Sequence, residues 1–262
     1  MFNAHEFTYN GQSCALYGLM LYSFGSTGQG DVAFGNKASI VESRTVNRIQ
    51  PVHHGVNYHE SPLEFKLVFG GEKALDRFEL ERIAFWLTGH QDYGWLQIVQ
   101  PDMTHVQYKC IFTELTPLSA GSEIYAFEAT VRCDCPYAYG LPFEYTYTIS
   151  GETLIAFRND STVREYLKPV LEFKANTGTS VLKIINQSDG NREFSISSLP
   201  ASDVVVRVDN NRGIILETTS EYNLYEGFNN KFLRLVPGIN NLVVTGDGEL
   251  TISGRFLHNI AG

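Results

Sequence analysis

The sequence predicts a mainly β protein, in which a β-rich α+β first domain with one main helix precedes an antiparallel β-sandwich. Of the 262 residues, 43% are hydrophobic and 19% are charged, which is enough apolar material for two cores and too little charge for a disordered chain. Aromatic residues, mostly Tyr and Phe, make up 13% and favour half-buried strands. In the second half, turn residues separate short apolar segments at regular spacing, as in a sandwich.

The opening segment, residues 6–22, predicts a β-hairpin. Its Asn10-Gly11 dipeptide is typical of tight turns and stands between two short apolar stretches. The glycine-rich residues 24–36 that follow are interpreted as a flexible loop. Within them, residues 25–30 lack the Gly-Lys-Ser/Thr sequence and the following helix of a phosphate-binding loop, so we do not expect phosphate binding there.

Residues 38–69 alternate polar and apolar side chains in two segments, which predicts two strands. Between the segments, three histidines fall within seven positions, which raises a metal site as one interpretation: His53, His54 and His59. No carboxylate at ligand spacing accompanies them, and Gly55 favours a mobile loop. We therefore expect a solvated loop or a contact between subunits here.

Residues 72–89 predict the one main helix. Apolar side chains recur near a 3.6-residue period and are expected to form one buried stripe: Leu75, Phe78, Ile83, Trp86 and Leu87. Gly89 is expected to end the helix in a left-handed conformation. Glu79 and Glu81 diverge by roughly 200° around the helix, so they cannot act as a catalytic carboxylate pair.

Three alternating segments follow the helix, at 95–98, 106–112 and 124–132, and the Pro-containing residues 133–140 close the first domain. The expected organisation is a first domain at 1–140, a linker and first strand at 141–168, and a sandwich domain at 169–262. The sandwich strands are expected at 170–173, 181–185, 204–208, 213–217, 232–235, 242–244 and 250–253. Residues 209–213 resemble the start of a calcium loop, but no bidentate glutamate follows, so a hairpin turn is expected.

Four cysteines are too few for a disulfide framework in a chain of this length. Cys133 and Cys135 are two positions apart and would face the same way on a strand, as small buried hydrophobic residues. A thiolate metal site that also uses Cys110 and His105 is the alternative, although the CxxC spacing of structural zinc sites is absent.

The sequence carries no recognisable catalytic constellation: no nucleophile elbow, no His-Glu-x-x-His helix and no Walker loop. We therefore expect no enzyme activity, no catalytic or metal residues and no cofactor. Glycan binding by the sandwich is the alternative function. The aromatic residues give this alternative little support. Trp86 and Trp95 both lie in the first domain, and the second offers only Tyr and Phe residues such as Tyr222, Tyr225 and Phe228.

Charge and hydropathy exclude two further classes of protein. Residues 1–150 hold 9 Lys/Arg against 16 Asp/Glu, a balance of −7, and residues 151–262 hold 11 against 13, a balance of −2. Neither half has a basic stripe, so specific nucleic-acid binding is not expected. Residues 1–6 lack the basic and apolar regions of a secretory signal, and no apolar run reaches the roughly 20 residues of a membrane span.

Five segments, in order along nearly the whole chain, resemble the distal tail (Dit) family of long-tailed phages. The resemblance is in Phe7–Gly11 with Tyr17–Leu19, Ala84–Leu87 followed by Tyr108–Cys110, Phe127–Tyr139, Val206–Ile215 and Phe232–Asn240.

This resemblance implies a structural protein at the virion tail tip, made in the host cytoplasm. The first domain would form a hexameric ring, with an arm around residues 42–66 clasping the neighbouring subunit. The second domain would be galectin-like. The implied partners are further copies of the chain, the tail tube protein and the tail-tip spike protein, with tape-measure and receptor-binding proteins as additional ones.

Overall fold

The computed structural model describes residues 5–25, 38–44, 49–58, 61–200, 204–218 and 223–260. The chain divides into two compact units: unit 1, Met1–Tyr139 with His258–Gly262, and unit 2, Gly140–Leu257. Strands in antiparallel pairs dominate the described residues, and one α-helix accompanies them, so the fold-class prediction is confirmed. The predicted glycine-rich loop at 24–36 lies, from residue 26 on, outside the described residues.

Unit 1 is built on one antiparallel sheet of seven described strands. They are β1 Glu6–Tyr9, β2 Gln12–Ser13, β3 Met20–Gly25, β6 Glu64–Gly70, β7 Gly94–Val99, β8 Val106–Ala120 and β9 Glu123–Cys133. Their order in the sheet is β3-β6-β9-β8-β7-β1-β2. The Leu21 N–H, in β3, donates to the His5 carbonyl beside β1 at 2.9 Å, so the sheet curls back on itself around its core.

Alternation along these strands creates the core of unit 1. In β6, for example, Phe65, Leu67 and Phe69 are buried, while the side chains between them face outward, as the sequence predicts. The predicted Asn10-Gly11 turn joins β1 to β2, with Tyr9 opposite Gln12, and both turn residues have positive φ. Local turn chemistry and period-two burial therefore agree in this unit.

The helix α1 is Arg77–Thr88, shorter than the predicted 72–89. It begins at a capping box, because the Asp76 carboxylate accepts from the N–H groups of Phe78 and Glu79, and the Glu79 carboxylate accepts from the N–H of Asp76. Gly89 ends it with φ −76, so the predicted left-handed termination is wrong. Glycine is needed there for another reason: a Cβ would lie 2.5 Å from the Phe85 carbonyl oxygen.

A second, separate sheet in this half of the chain has two strands, β4 Ala38–Ser43 and β5 Val52–Tyr58, which we call the ribbon. The prediction of a mobile loop at 51–59 is wrong for residues 52–58, which are a strand. Gly55, with φ +152, lies opposite Val41 where the register shifts by one residue, so it allows a β-bulge.

Unit 2 is an antiparallel sandwich with two sheets that share one strand. The strands are β10 Ala138–Asn159, which begins at the end of unit 1, and then β11 Val170–Ala175, β12 Val181–Asn186, β13 Arg192–Ser197, β14 Val205–Asp209, β15 Ile214–Glu217 and β16 Gly238–His258. One sheet has the order β15-β14-β11-β16-β10 and the other has the order β13-β12-β16.

Residues 141–168, where a linker and first strand are expected, belong to unit 2. Most of them lie in β10, which contributes Ile149, Ile155 and Phe157 to the core. The structure also adds β13, a strand that the sequence analysis does not predict.

The long strand β16 replaces the two strands predicted at 242–244 and 250–253. Its first part pairs with β12 up to Thr245, and its second part pairs with β11 from Gly248 onward. Gly246 and Gly248, with φ +152 and +154, bend the chain between the two sheets. These two glycines therefore form a corner within one strand.

Residues 232–235 are not the predicted strand, since only Leu235 forms a bridge, with Leu167. Buried asparagine side chains replace a strand ladder here. The Asn210 carbonyl oxygen accepts from the Leu233 N–H at 2.8 Å, and the Asn159 amide donates to the Val236 carbonyl at 3.1 Å. The segment therefore buries Leu233 and Leu235 without forming a regular strand.

Candidate functional site

The ribbon presents apolar side chains to solvent. Ile40 and Val56 are directly opposite each other on β4 and β5, with exposures of 66% and 38%. Val41 is 39% exposed, and Ile49, between the strands, is fully exposed. A two-stranded ribbon is marginally stable by itself in water, so a surface of this kind calls for something to pack against it.

The histidines of the ribbon do not gather into a metal site. The His54 imidazole Nε2 lies 2.7 Å from the Ser43 hydroxyl, across the ribbon. His53 and His54 are consecutive on a strand, and His59 lies outside the described residues. Across the part of the chain that the structure describes, no group of three or more His, Cys, Asp or Glu side chains is arranged to hold a metal ion.

A second exposed apolar surface lies on the outer face of α1. Phe78 and Phe85 are each 76% exposed, whereas Ile83, Trp86 and Leu87 are buried. The prediction that Phe78 belongs to the buried stripe is therefore wrong. Five residues separate it from Ile83, which places it about 140° away around the helix. Phe78 and Phe85 are seven residues apart and share one face.

Tyr17 joins this face to the core and separates two shallow clefts. Its ring stacks on Trp86 at 4.6 Å between centroids, and the Arg82 guanidinium lies 5.7 Å from the Tyr17 ring centre. One cleft includes Arg82 and His90, and the other includes Glu79. Glu79 faces its own helix start through the capping box, and Glu81 lines only the first cleft, so these two carboxylates do not converge.

All four cysteines lie in unit 1 and are free, and two of them face each other. Cys110 in β8 and Cys133 in β9 are opposite residues and both are buried, as predicted for Cys133. Cys135 differs from the prediction: it follows the end of β9 and is half-buried, with its thiol donating to the Tyr137 carbonyl at 3.2 Å. Burial raises the pKa of Cys133 to about 12, with the charge of a Cys135 thiolate as a second cause.

The predicted hairpin turn at 209–213 is confirmed. Asp209 pairs with Ile214, and its carboxylate accepts from the N–H groups of Asn211 and Arg212 at 3.0 and 2.9 Å. Both bonds end on Oδ1, so a calcium ion at that oxygen would have to compete with them. The carboxylate is thus part of the turn itself.

Unit 2 offers little aromatic surface at the residues that the sequence suggested. Phe228 is buried, and Tyr225 is half exposed, but its hydroxyl accepts from the Ile215 N–H at 2.9 Å. Tyr222 lies outside the described residues. Trp86 is buried and Trp95 packs edge-to-face on Tyr139, both in unit 1. No glycan platform is formed by the described members of this set.

The two units match two family models in chain order. Residues 2–135 match the model described as phage tail protein N-terminal domain, and residues 137–254 match the one described as phage tail C-terminal domain. The chain belongs to this family of phage tail proteins. Among curated proteins, none matches the sequence significantly. No helix among the described residues of the tail protein is long and apolar enough to cross a membrane.

Solved structures share the fold of this tail protein over nearly its whole length. The Dit protein (gp 19.1) of phage SPP1 matches with TM-score 0.67 and 13% identity, over 97% of this chain and 100% of that one. That protein is described as a paradigm of the hub adsorption apparatus in phages that infect Gram-positive bacteria. A chain of the phage p2 baseplate in its activated conformation with Ca matches with TM-score 0.54 and 9% identity, over 96% and 98%. Both units are thus present in each relative's fold.

Two surface features of the tail protein were not found from the sequence. The exposed pair Phe78 and Phe85 could have been recognised by their seven-residue spacing, opposite the Ile83 and Leu87 positions on a helical wheel. The exposed apolar residues of the ribbon are harder to recognise, because Ile40 and Val56 lie in strand segments that resemble core-facing strands in sequence.

Proposed function

We propose that this phage tail protein is a structural hub of the tail tip: six copies form a ring that joins the tail tube to the spike and receptor-binding apparatus. Unit 1 builds the ring. The role is one of assembly, without catalysis. Support comes from the family of tail proteins and from the fold shared with the SPP1 Dit protein over the full length of both chains.

The ribbon carries the proposal at the level of residues. Its two strands form a sheet of their own among the described residues, and Ile40, Val41 and Val56 are exposed on it. Packing this ribbon on a neighbouring copy would bury these side chains and support the two strands. A contact in which one surface grips a different surface of the next copy is head-to-tail, and it closes into a ring when the rotation fits.

The expected arm at residues 42–66 corresponds to a somewhat different segment in this proposal. The ribbon runs from Ala38 to Tyr58, and residues from Glu64 on belong to β6 in the main sheet of unit 1. We therefore assign the clasping arm to the ribbon.

The test is the mass of the assembly in solution for the double substitution Ile40→Glu and Val56→Glu. Two carboxylates on the buried face of an arm would oppose docking, so the variant is expected to remain monomeric at concentrations where the unchanged protein assembles.

A matched control carries Val181→Glu and Ile214→Glu, two strand residues of unit 2 with exposures of 39% and 38%. The control should assemble as the unchanged protein does. Equal assembly of both variants, with thermal unfolding showing that both are folded, would refute the role of the ribbon.

A further inference from the structure

Cys110 and Cys133 occupy a particular kind of position in the β8–β9 pair. They are opposite residues in the register, and the Asp134 N–H donates to the Lys109 carbonyl at 2.9 Å, one residue beyond the pair on each strand. The Cys133 N–H itself donates to the other side, to the Leu63 carbonyl at 2.8 Å. This pattern identifies Cys110 and Cys133 as a non-hydrogen-bonded pair, the narrow kind, with Cα atoms about 4.5 Å apart.

The two thiols point the same way. Opposite residues of an antiparallel pair project on one face of the sheet, and both side chains are buried, at 0% and 1% exposure, in the core of unit 1. A disulfide needs Cα atoms roughly 4.4–6.8 Å apart and Cβ atoms about 3.5–4.5 Å apart. A narrow pair has Cβ atoms about 4.5 Å apart, so the bond requires only a small approach of the strands.

We propose that Cys110 and Cys133 are a modification site: a thiol pair that forms a cross-strand disulfide after the particle has left the reducing cytoplasm of its host. The proposal goes beyond the hub role and depends only on membership of a phage tail family, because a virion is assembled in one redox compartment and persists in another.

The co-reactant is a low-molecular-weight disulfide from the surroundings. One cysteine thiolate attacks it, forms a mixed disulfide and releases one small thiolate. The second cysteine thiolate attacks the protein sulfur of the mixed disulfide, closes the Cys110–Cys133 bond and releases the other small thiolate. The two protons lost by the cysteines are taken up by the released thiolates, so the protein loses two hydrogens and one disulfide becomes two thiols.

The same geometry makes the reaction slow. Burial raises the pKa of both thiols, so little thiolate is present at neutral pH, and the reagent reaches the pair only when β8 and β9 open locally. The thiols would thus stay reduced during folding and assembly. Cys135 could compete as a disulfide partner, since it is less buried. Its thiol, however, lies beyond the end of β9 and donates hydrogen bonds to the Tyr137 carbonyl and the Tyr139 hydroxyl.

The experiment uses the full chain incubated with oxidised glutathione at mildly alkaline pH, below its unfolding temperature. The unreduced protein is then alkylated, digested and analysed by mass spectrometry. The expected product has lost about 2 Da, carries one linkage that maps to Cys110 and Cys133, and unfolds at a higher temperature until a reductant is added.

The double variant Cys14→Ala and Cys135→Ala keeps only the proposed pair and should form the same linkage, whereas Cys110→Ala should not. Mapping in the unchanged protein decides the matter if a variant fails to fold. Alkylated, unlinked Cys110 and Cys133 after prolonged incubation, or a linkage that maps to Cys135, would overturn the proposal.

Discussion

Tyr9 and Tyr108 are both fully buried in unit 1, but they differ in what their hydroxyl groups contact. The Tyr9 hydroxyl donates to the Cys110 carbonyl at 3.3 Å. The Tyr108 hydroxyl has no hydrogen-bond partner within the described residues, and the Phe24 and Phe65 rings lie against its own ring. An unpartnered buried hydroxyl lowers stability, because its bonds to water are lost without replacement.

Replacing each tyrosine by phenylalanine should separate these two situations. We expect Tyr9→Phe to lower the free energy of unfolding by about 1 kcal/mol, through the lost hydrogen bond. Tyr108→Phe should leave it unchanged or raise it. Urea unfolding of the two variants measures both values, and an equal loss in the two would show that Tyr108 also has a partner.

Among the elements, α1 shows why the 3.6-residue spacing of apolar residues does not by itself identify the buried face of a helix. Its apolar residues occupy two opposite sides: Ile83 and Leu87 in the core, and Phe78 and Phe85 outside. The sequence predicts the helix and its approximate end at Gly89, but the predicted start at residue 72 is five residues early, although Asp76 and Glu79 form a recognisable capping box. It does not say which of the apolar residues remain exposed on the folded surface.

Two substitutions in α1 test this assignment. Ile83→Ala should destabilise unit 1 by about 2–5 kcal/mol, because it leaves a cavity in the core. Phe78→Ala should change the free energy of unfolding by no more than about 0.5 kcal/mol, as expected for an exposed position. Chemical denaturation measures both, and a large loss for Phe78→Ala would place that ring in the core.

The segment before β16 is the element that sequence reasoning missed most clearly. The Pro-Gly-x-Asn sequence at its junction with β16 ends in Asn240, whose side chain accepts from the Val236 N–H and the Asn186 amide and donates to the Val236 carbonyl. Residues 232–235 predict a strand because their composition is typical of strands. In the structure, side chains distant in sequence supply hydrogen bonds to this segment instead of a neighbouring strand.

Asn240→Ala should therefore destabilise unit 2 by about 1–3 kcal/mol, since it leaves the Val236 N–H without its hydrogen-bond partner. Asn241→Ala, at the adjacent exposed position, is the matched control and should have little effect. Thermal unfolding of the two variants provides the comparison. Similar melting temperatures would mean that water replaces the lost bonds.

At the scale of the whole molecule, the mainly β class and the pattern of most strands could be predicted, because alternation and turn residues are local signals. Which strands pair with each other could not be predicted. That β16 pairs with both β12 and β11, or that the ribbon stands apart from β6, depends on contacts between residues distant in the chain. The exposed apolar surfaces of the ribbon and of α1 are likewise a property of the folded shape.

Buried titratable groups in unit 1 predict a loss of stability in alkali. Burial raises the pKa of Tyr9 from 10.0 to about 12 and that of Cys133 from 9.0 to about 12. Above the unfolded values the unfolded chain releases these protons while the folded chain retains them, so rising pH favours unfolding.

The free energy of unfolding of the reduced protein should accordingly be constant near pH 8 and fall between about pH 9 and 12, by up to about 1.4 kcal/mol per pH unit for each group. Guanidinium unfolding at several pH values gives the curve. A flat profile over this range would mean that these groups become exposed to solvent before unfolding.

Native mass spectrometry of the full chain over a range of concentrations decides whether the proposed ring forms. A discrete species of six 29.4 kDa chains is expected, formed by the protein alone at high concentration or with the tail tube protein present. A chain that stays monomeric at every concentration, and with the tail tube protein added, would contradict it.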